Sequence, residues 1–490
     1  MTTKIGATLA AIAFLALSPR SFASAPIFGD DDEDEAEEEE EPEVPDTHYF
    51  AVVGADVYTG TGEVLRGATV LSKNGKLEAI GFDLEIPGLD YQADVTDADR
   101  GYTSQVLDAT GYRVYPGMVA IDSSGLLGTG GDFRDSIDPF AQNMVLGLAA
   151  GITSTGQSSS AVKLKRFISD GDEVDYDFDG IVMRDKCYAS FSWGSASSRR
   201  SLRAKLARAS EYLREYKQWQ ADVKKDEELK EPSKKGVDGS TLAVLRNEVY
   251  PKFRADSRED LLGIARLAHE YGFRPVIDGC REGWTVAAEL GRAGAFAIVT
   301  PRTRRDKSEL LVREGGSSIE NAAILHAAGV QIAIKPASRG ISLGGITGRD
   351  IMHLPVEVGF AIRGGLPEDA AIAAVTTVPA RMMGVGHRVG SLELGKDCDM
   401  IITDGDLLHY QTFVQWAVVD GKVVYDKEAE LFFAHIRPRA ETEVAPLRRL
   451  DAGENEDEDE DGEDHADDDD KDDKKSDKDD EDKKDEKEDD

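Results

Sequence analysis

Histidine and cysteine are scarce in this chain: 490 residues hold eight of the first and three of the second. Seven histidines (His48, His269, His326, His353, His387, His409 and His435) precede residue 450, and no two are closer than 22 residues. That excludes the closely spaced imidazole pairs and Cys-x-x-Cys clusters of common zinc sites. Cys187, Cys280 and Cys398 permit at most one disulfide and have no redox or finger spacing, so their expected role is as small buried hydrophobes. Long apolar runs are missing too. The longest, at residues 5–17, is well short of the roughly 20 residues a spanning helix needs. Basic charge is in deficit, 58 Lys and Arg against 95 Asp and Glu, which disfavours nucleic acid as a partner.

The excess acid is concentrated at the two ends. Residues 30–46 carry thirteen acids and no base, and residues 451–490 carry twenty-six acids against seven lysines. What lies between is only mildly acidic. Segments 26–46 and 437–490 lack the apolar residues that offset chain entropy, and both are expected to be disordered. Their flexible carboxylates suit weak capture of Ca²⁺. Residues 1–25 place Lys4 before the short apolar run and end it with Ala23-Ser24-Ala25, the pattern of a secretory signal peptide. The chain is therefore expected to be exported, to a periplasmic, extracellular or cell-envelope location, with no membrane span in the mature form.

The core begins and ends in strand-like alternation. Asn74-Gly75 separates two such runs near the start, and Asp420-Gly421 separates two near the end; both dipeptides favour a tight hairpin. Between them, short apolar runs such as ITSTG, RPVIDG, FAIVTP and VQIAIK alternate with segments of helical spacing such as LLGIARLAHEYG. Strand–helix alternation predicts an α/β fold with a parallel sheet. Residues 197–235 form a charged insertion whose spacing predicts a solvated surface helix, with a lid or partner surface as the functional alternative.

Two motifs are more specific. YPGMVAIDSSGL at 115–126 resembles the opening of the amidohydrolase superfamily, and Pro379-Ala380, Gly384, Gly390-Ser391-Leu392, Gly395-Lys396-Asp397 and Asp399 resemble its closing in order and spacing. Within the superfamily the chain is most similar to imidazolonepropionase-related and other cyclic-amide or peptidic hydrolases. The resemblance implies a (β/α)8 TIM-like barrel over 115–387. It also implies a composite β-sandwich domain built from 47–114 and 388–436. The active site would lie at the C-terminal ends of the barrel strands.

The resemblance also implies one or two metal ions, zinc in the family, held by histidines and carboxylates. The expected His-x-His falls on Asp122 and Ser124, and the histidine after the fifth strand falls on Arg254 or Asp256. The next falls beside Asp278, the bridging lysine or glutamate near Ser190, and the last aspartate in a segment that offers Lys335 but no acid. A guanidinium cannot ligate a metal. No metal cofactor is therefore expected. Asp122, Ser124, Arg254, Asp256, Asp278, Lys335 and, after the last strand, His353 are candidate ligand-binding residues at the former metal site. Such a mixed-charge mouth suits an anionic or zwitterionic small molecule.

Three functions fit. The first is a catalytically degenerate amidohydrolase-like protein that keeps a polar pocket. The second is an active C–N hydrolase with a rearranged or metal-free site, and the third is an envelope scaffold with cation-binding acidic tails.

Overall fold

Asn74 and Gly75 both adopt left-handed backbone, φ 49° and 76°, and this turn joins β2 (Val64–Lys73) to β3 (Lys76–Gly81). The structure is a computed structural model describing residues 47–87, 101–128, 137–138, 141–166, 180–226, 229–309, 314–342 and 348–430. The expected signal peptide at 1–25 and the acidic segments at 26–46 and 437–490 lie outside the described residues. β1 (His48–Tyr58) pairs with β2 along one edge. Along its other edge it pairs first with β4 (Thr103–Asp108) and then with β5 (Arg113–Pro116). A register shift next to Gly54, at φ 75°, separates the two pairings. The extra residue turns the strand and lets one edge serve two partners.

The middle of the chain forms two further sheets. β6 (Met118–Ala120), β7 (Ile152–Gln157), β8 (Ser160–Lys163) and β9 (Val182–Arg184) make a four-stranded sheet in sequence order. α1 (Gln142–Ala149) links β6 to β7, which run parallel. β10 (Tyr188–Phe191), β11 (Tyr250–Ala255), β12 (Val276–Gly279), β13 (Phe296–Val299) and β14 (Gln331–Ile334) make a five-stranded parallel sheet. Between these strands lie α2 (Ala196–Asp222), α3 (Gly239–Leu245), α4 (Arg258–Tyr271), α5 (Ala287–Arg292) and α6 (Asn321–Ala327). α4 shows why this region is helical. Ser257 accepts from the Asp260 N–H at the start, Leu261, Ile264, Ala265 and Ala268 bury one face, and Gly272 ends the helix at φ 73°.

The fold is mixed α/β as expected, and among the described residues these strands pair in two open sheets rather than one closed ring of eight. Two local features account for it. After β7 the chain reverses through Ser158 and Ser159, both at positive φ, so β8 returns antiparallel rather than crossing over through a helix. On the other side, β14 is followed by α7 (Leu354–Arg363), α8 (Glu368–Ala373) and α9 (Thr377–Met383). The Ile334 N–H donates to the Ala374 carbonyl and the Val119 N–H to the Val375 carbonyl, at 3.0 and 2.7 Å. The α8–α9 junction thus stands between β14 and β6, where direct strand pairing would close a ring.

The chain then re-enters the first sheet. β15 (Met400–Thr403) pairs with β5, β16 (Val414–Val419) with β15, and β17 (Lys422–Asp426) with β16. Both ends of the core therefore share one eight-stranded sheet, and the split edge of β1 holds all the strands in one ladder. Asp420 and Gly421 turn at φ 50° and 70°, and the two hairpin tips meet: a Cβ on Gly75 would lie 2.8 Å from the Asp420 carbonyl oxygen. Between them, the Cys398 N–H donates to the Gly75 carbonyl and the Gly421 N–H to the Cys398 carbonyl.

A buried lysine ties this sheet to the second one. Lys163, at the end of β8, is fully buried, with its Nζ 2.8 Å from Asp397 Oδ2, 2.9 Å from Asp399 Oδ1 and 2.5 Å from Asp420 Oδ1. Asp397 also pairs with Arg388 and Lys76, and Asp420 with Lys165. Burial alone would lower the Lys163 pKa, but Asp399, Asp420 and Asp397 together outweigh it and hold the ammonium firmly protonated. Burial also raises the Asp397 carboxyl, yet Lys163, Lys76 and Arg388 bring it down to about 2. Asp399 goes the other way. Its burial outweighs Lys163, so its pKa is raised, and its Oδ2 has no hydrogen-bond partner among the described residues.

All three cysteines are free and buried, which excludes a disulfide among them and agrees with a packing role. Burial pushes Cys187 up to about 11 and Cys280 and Cys398 up to about 12. The 197–235 insertion begins with α2 as expected. Ser195 caps it by accepting from the Ser198 N–H, and only Leu202, Leu206, Ala209 and Tyr212 are buried. No helix among the described residues is long and apolar enough to cross a membrane.

Candidate functional site

Three of the seven candidate residues converge. Asp122 follows β6, Asp278 lies in β12 and Lys335 follows β14. The Lys335 ammonium lies 2.7 Å from Asp278 Oδ1 and 3.4 Å from Asp122 Oδ2, so one side chain bridges two carboxylates from separate sheets. Lys252, on β11, approaches Asp278 Oδ2 at 3.9 Å, and Arg339 approaches Asp122 Oδ1 at 3.5 Å. The two acids are thus matched by two lysines within the cluster. All four of these side chains are only 15–21% exposed, whereas Arg339, at 59%, sits on the rim.

Tyr188 forms one wall of the cluster. Its ring lies under Lys252 Nζ, 5.1 Å from the centroid, and its hydroxyl is buried without a hydrogen-bond partner among the described residues. Burial first, then the charges of Cys187, Asp122 and Asp278, hold the phenol well above its ordinary pKa, so it stays protonated. Neither Tyr188 nor Lys252 was among the sequence candidates. The strand period could have found Lys252, because it lies two residues before Arg254 and shares its face of β11.

The remaining candidates lie elsewhere. Arg254 is exposed in register with Asp278 on the adjacent strand, and its side chain has no ion pair among the described residues. Asp256 turns aside to Arg281, at 3.1 Å. Ser124 is exposed, and its N–H donates to the Arg339 carbonyl, fastening the first mouth loop to the last. His353 is held by Asp350, Nδ1 to Oδ1 2.5 Å, and stands just before α7 without a side-chain capping bond. Of the seven candidates the structure brings together Asp122, Asp278 and Lys335. Arg254 and Ser124 lie at the rim, and Asp256 and His353 are engaged with other partners.

The family model described as the amidohydrolase family matches residues 218–429. An amidohydrolase from Thermotoga maritima MSB8 shares the fold with a TM-score of 0.57 at 22% identity, over 77% of this chain and all of that one. Over residues 218–429 the chain is similar to the amidohydrolase family, and the solved structure shows the shared fold. Amidohydrolase tasK of Hapsidospora irregularis is 34% identical over 94 residues, 19% of this chain, and the match spans 10% of that relative's length. A dihydropyrimidinase from Brevibacillus agri NCHU1002 aligns at 13% identity and a TM-score of 0.42, over 77% of this chain and 95% of that one.

The donor set at the strand ends mixes acids with bases. A divalent cation needs two or more carboxylate or imidazole ligands free to turn toward it. Here Asp122 and Asp278 both face Lys335, with Lys252 beside Asp278 and Arg339 beside Asp122. Among the described residues no group of three or more His, Cys, Asp and Glu is placed to hold a metal ion.

Proposed function

We propose that this amidohydrolase-fold chain is a non-hydrolytic binding protein for small anionic or zwitterionic molecules, acting outside the cytoplasm. One observation carries the reading: the Lys335 ammonium bridges Asp122 and Asp278, so the carboxylates at the former metal site already have their cation. Inserting a divalent metal would require this lysine to leave its place between the two acids. Arg254 and Arg339 then supply the polar mouth. Arg254 has no ion pair among the described residues, and its planar fork suits a ligand carboxylate.

The test uses the purified mature chain. Metal analysis and a panel of N-acyl amino acids and cyclic amides, assayed with and without added zinc or manganese, should give no turnover. Thermal shift with small carboxylates should give stabilisation that Arg254→Ala reduces at least several-fold in apparent affinity. Turnover lost in Asp122→Asn or Asp278→Asn would overturn the reading in favour of a metal-free hydrolase. Export rests on residues 1–25, and N-terminal sequencing of secreted protein should begin at Pro26.

A further inference from the structure

The exposed face of α2 carries a one-sign stripe. Arg200, Arg203, Ala207, Ser210, Arg214, Lys217 and Ala221 recur at spacings of three and four, which places them along one side of the helix, and all are exposed. Lys224 and Lys225 follow just past its end, exposed as well. No acid falls on the stripe. The helix's Glu211 and Glu215 lie off it and are taken up by Arg208, at 3.0 and 4.0 Å. Arg203 pairs with Glu270 at 2.9 Å, whereas Arg200, Arg214, Lys217, Lys224 and Lys225 have no ion pair among the described residues. In a chain with a net charge of −37, the insertion at 197–235 holds twelve bases against seven acids.

We propose that this stripe is the docking surface for the chain's own acidic C-terminal segment, residues 451–490. That segment has the complementary charge, twenty-six acids against seven lysines. Its tether is long enough. Twenty residues separate Glu430 from position 451, and twenty extended residues span at most about 70 Å. A folded body of this size has a radius of gyration of about 21 Å, so the segment can reach any face of it. Tethering also gives the segment an effective concentration on the order of millimolar, which a free anionic partner must exceed to displace it. The rest of the folded part is mildly acidic and repels the segment, leaving α2 as the favoured face. The association is a diffuse contact between many charges, so it weakens as salt shortens the screening length.

Carbodiimide cross-linking of the full chain tests this, because the reagent joins lysines to carboxylates in contact. In low salt, Lys217, Lys224 and Lys225 should link to residues 451–490 within one molecule. The yield should be at least about five-fold above that of the exposed control Lys186, and the excess should vanish in high salt. The variant Arg200→Glu/Arg214→Glu/Lys217→Glu should lose the links at Lys224 and Lys225. Links spread evenly over the surface lysines, or unchanged in the variant, overturn the proposal. So would stripe-dependent sedimentation with phosphatidylserine vesicles in low salt without the intramolecular links, which would assign the stripe to a lipid surface instead.

Discussion

Replacing Lys163 with methionine removes the ammonium that three aspartates share and keeps all but the last atom of the side chain's length. The consequences for those acids are unequal. Asp397 keeps Arg388 and Lys76, and Asp420, partly exposed, keeps Lys165, whereas Asp399 loses its only cation. Its carboxylate would then be buried with one N–H donor, from Asp420 at 2.9 Å. Removing one partner of a buried ion pair costs about 3–5 kcal/mol. Since two of the three acids retain partners, the expected loss at neutral pH is near the lower bound, about 3 kcal/mol.

The pH dependence has a defined sign. Asp399 already titrates above its ordinary value because of burial, and loss of Lys163 raises it further. A carboxyl with a higher pKa in the folded state binds protons preferentially there. The variant should therefore regain stability as pH falls toward that raised value. Urea denaturation followed by circular dichroism at pH 7.5 and pH 5 measures both effects, and Asp399→Asn added to Lys163→Met should restore at least half the loss. A loss below about 1 kcal/mol, or one that is the same at both pH values, would refute the account.

Lys335→Ala should let the two freed carboxylates take up Mn²⁺ or Zn²⁺, seen by calorimetry as binding at least ten-fold tighter than in the unaltered protein; equal binding would remove Lys335 from its bridging role. Gly75→Ala should cost more than about 1 kcal/mol in the same urea experiment, because the backbone is at φ 76° and the Asp420 carbonyl oxygen stands 2.8 Å from the added Cβ. Cys187, Cys280 and Cys398, buried and raised to about 11 or 12, should not react with an aromatic disulfide reagent at pH 8 in the native protein. All three should react at once in urea.

The sequence was most legible where local chemistry and tertiary structure agree. Asn74-Gly75 and Asp420-Gly421 favour the turns they make, and α4 carries its serine cap, apolar stripe and terminal glycine in plain view. Asp122, Asp278 and Lys335 could be placed near one another only through family spacing, since nothing local marks them as partners. The reversal after β7 was hidden, because Ser158 and Ser159 adopt positive φ without the glycine or asparagine that usually marks it. Lys163 was hidden for a related reason. In the run VKLKR it looks like a surface lysine, and only the return of residues 397–420 to its side makes it a buried one. Arg254 and Lys252 occupy the same face of one strand, yet the first is exposed and the second reaches inward, a difference set by depth that periodicity does not encode.

The sheet shared by the two ends of the core has a consequence for how the molecule comes into being. β5 sits between β1 and β15, and some 280 residues separate it from the second partner. Emerging in order, β1 to β5 must wait with one edge open until nearly the whole core has been delivered, and such distant pairings form slowly. During that interval the free edge of β5 can accept a strand from another molecule. A chain interrupted before Met400 would keep that edge permanently, and its characteristic failure should be self-association rather than simple unfolding.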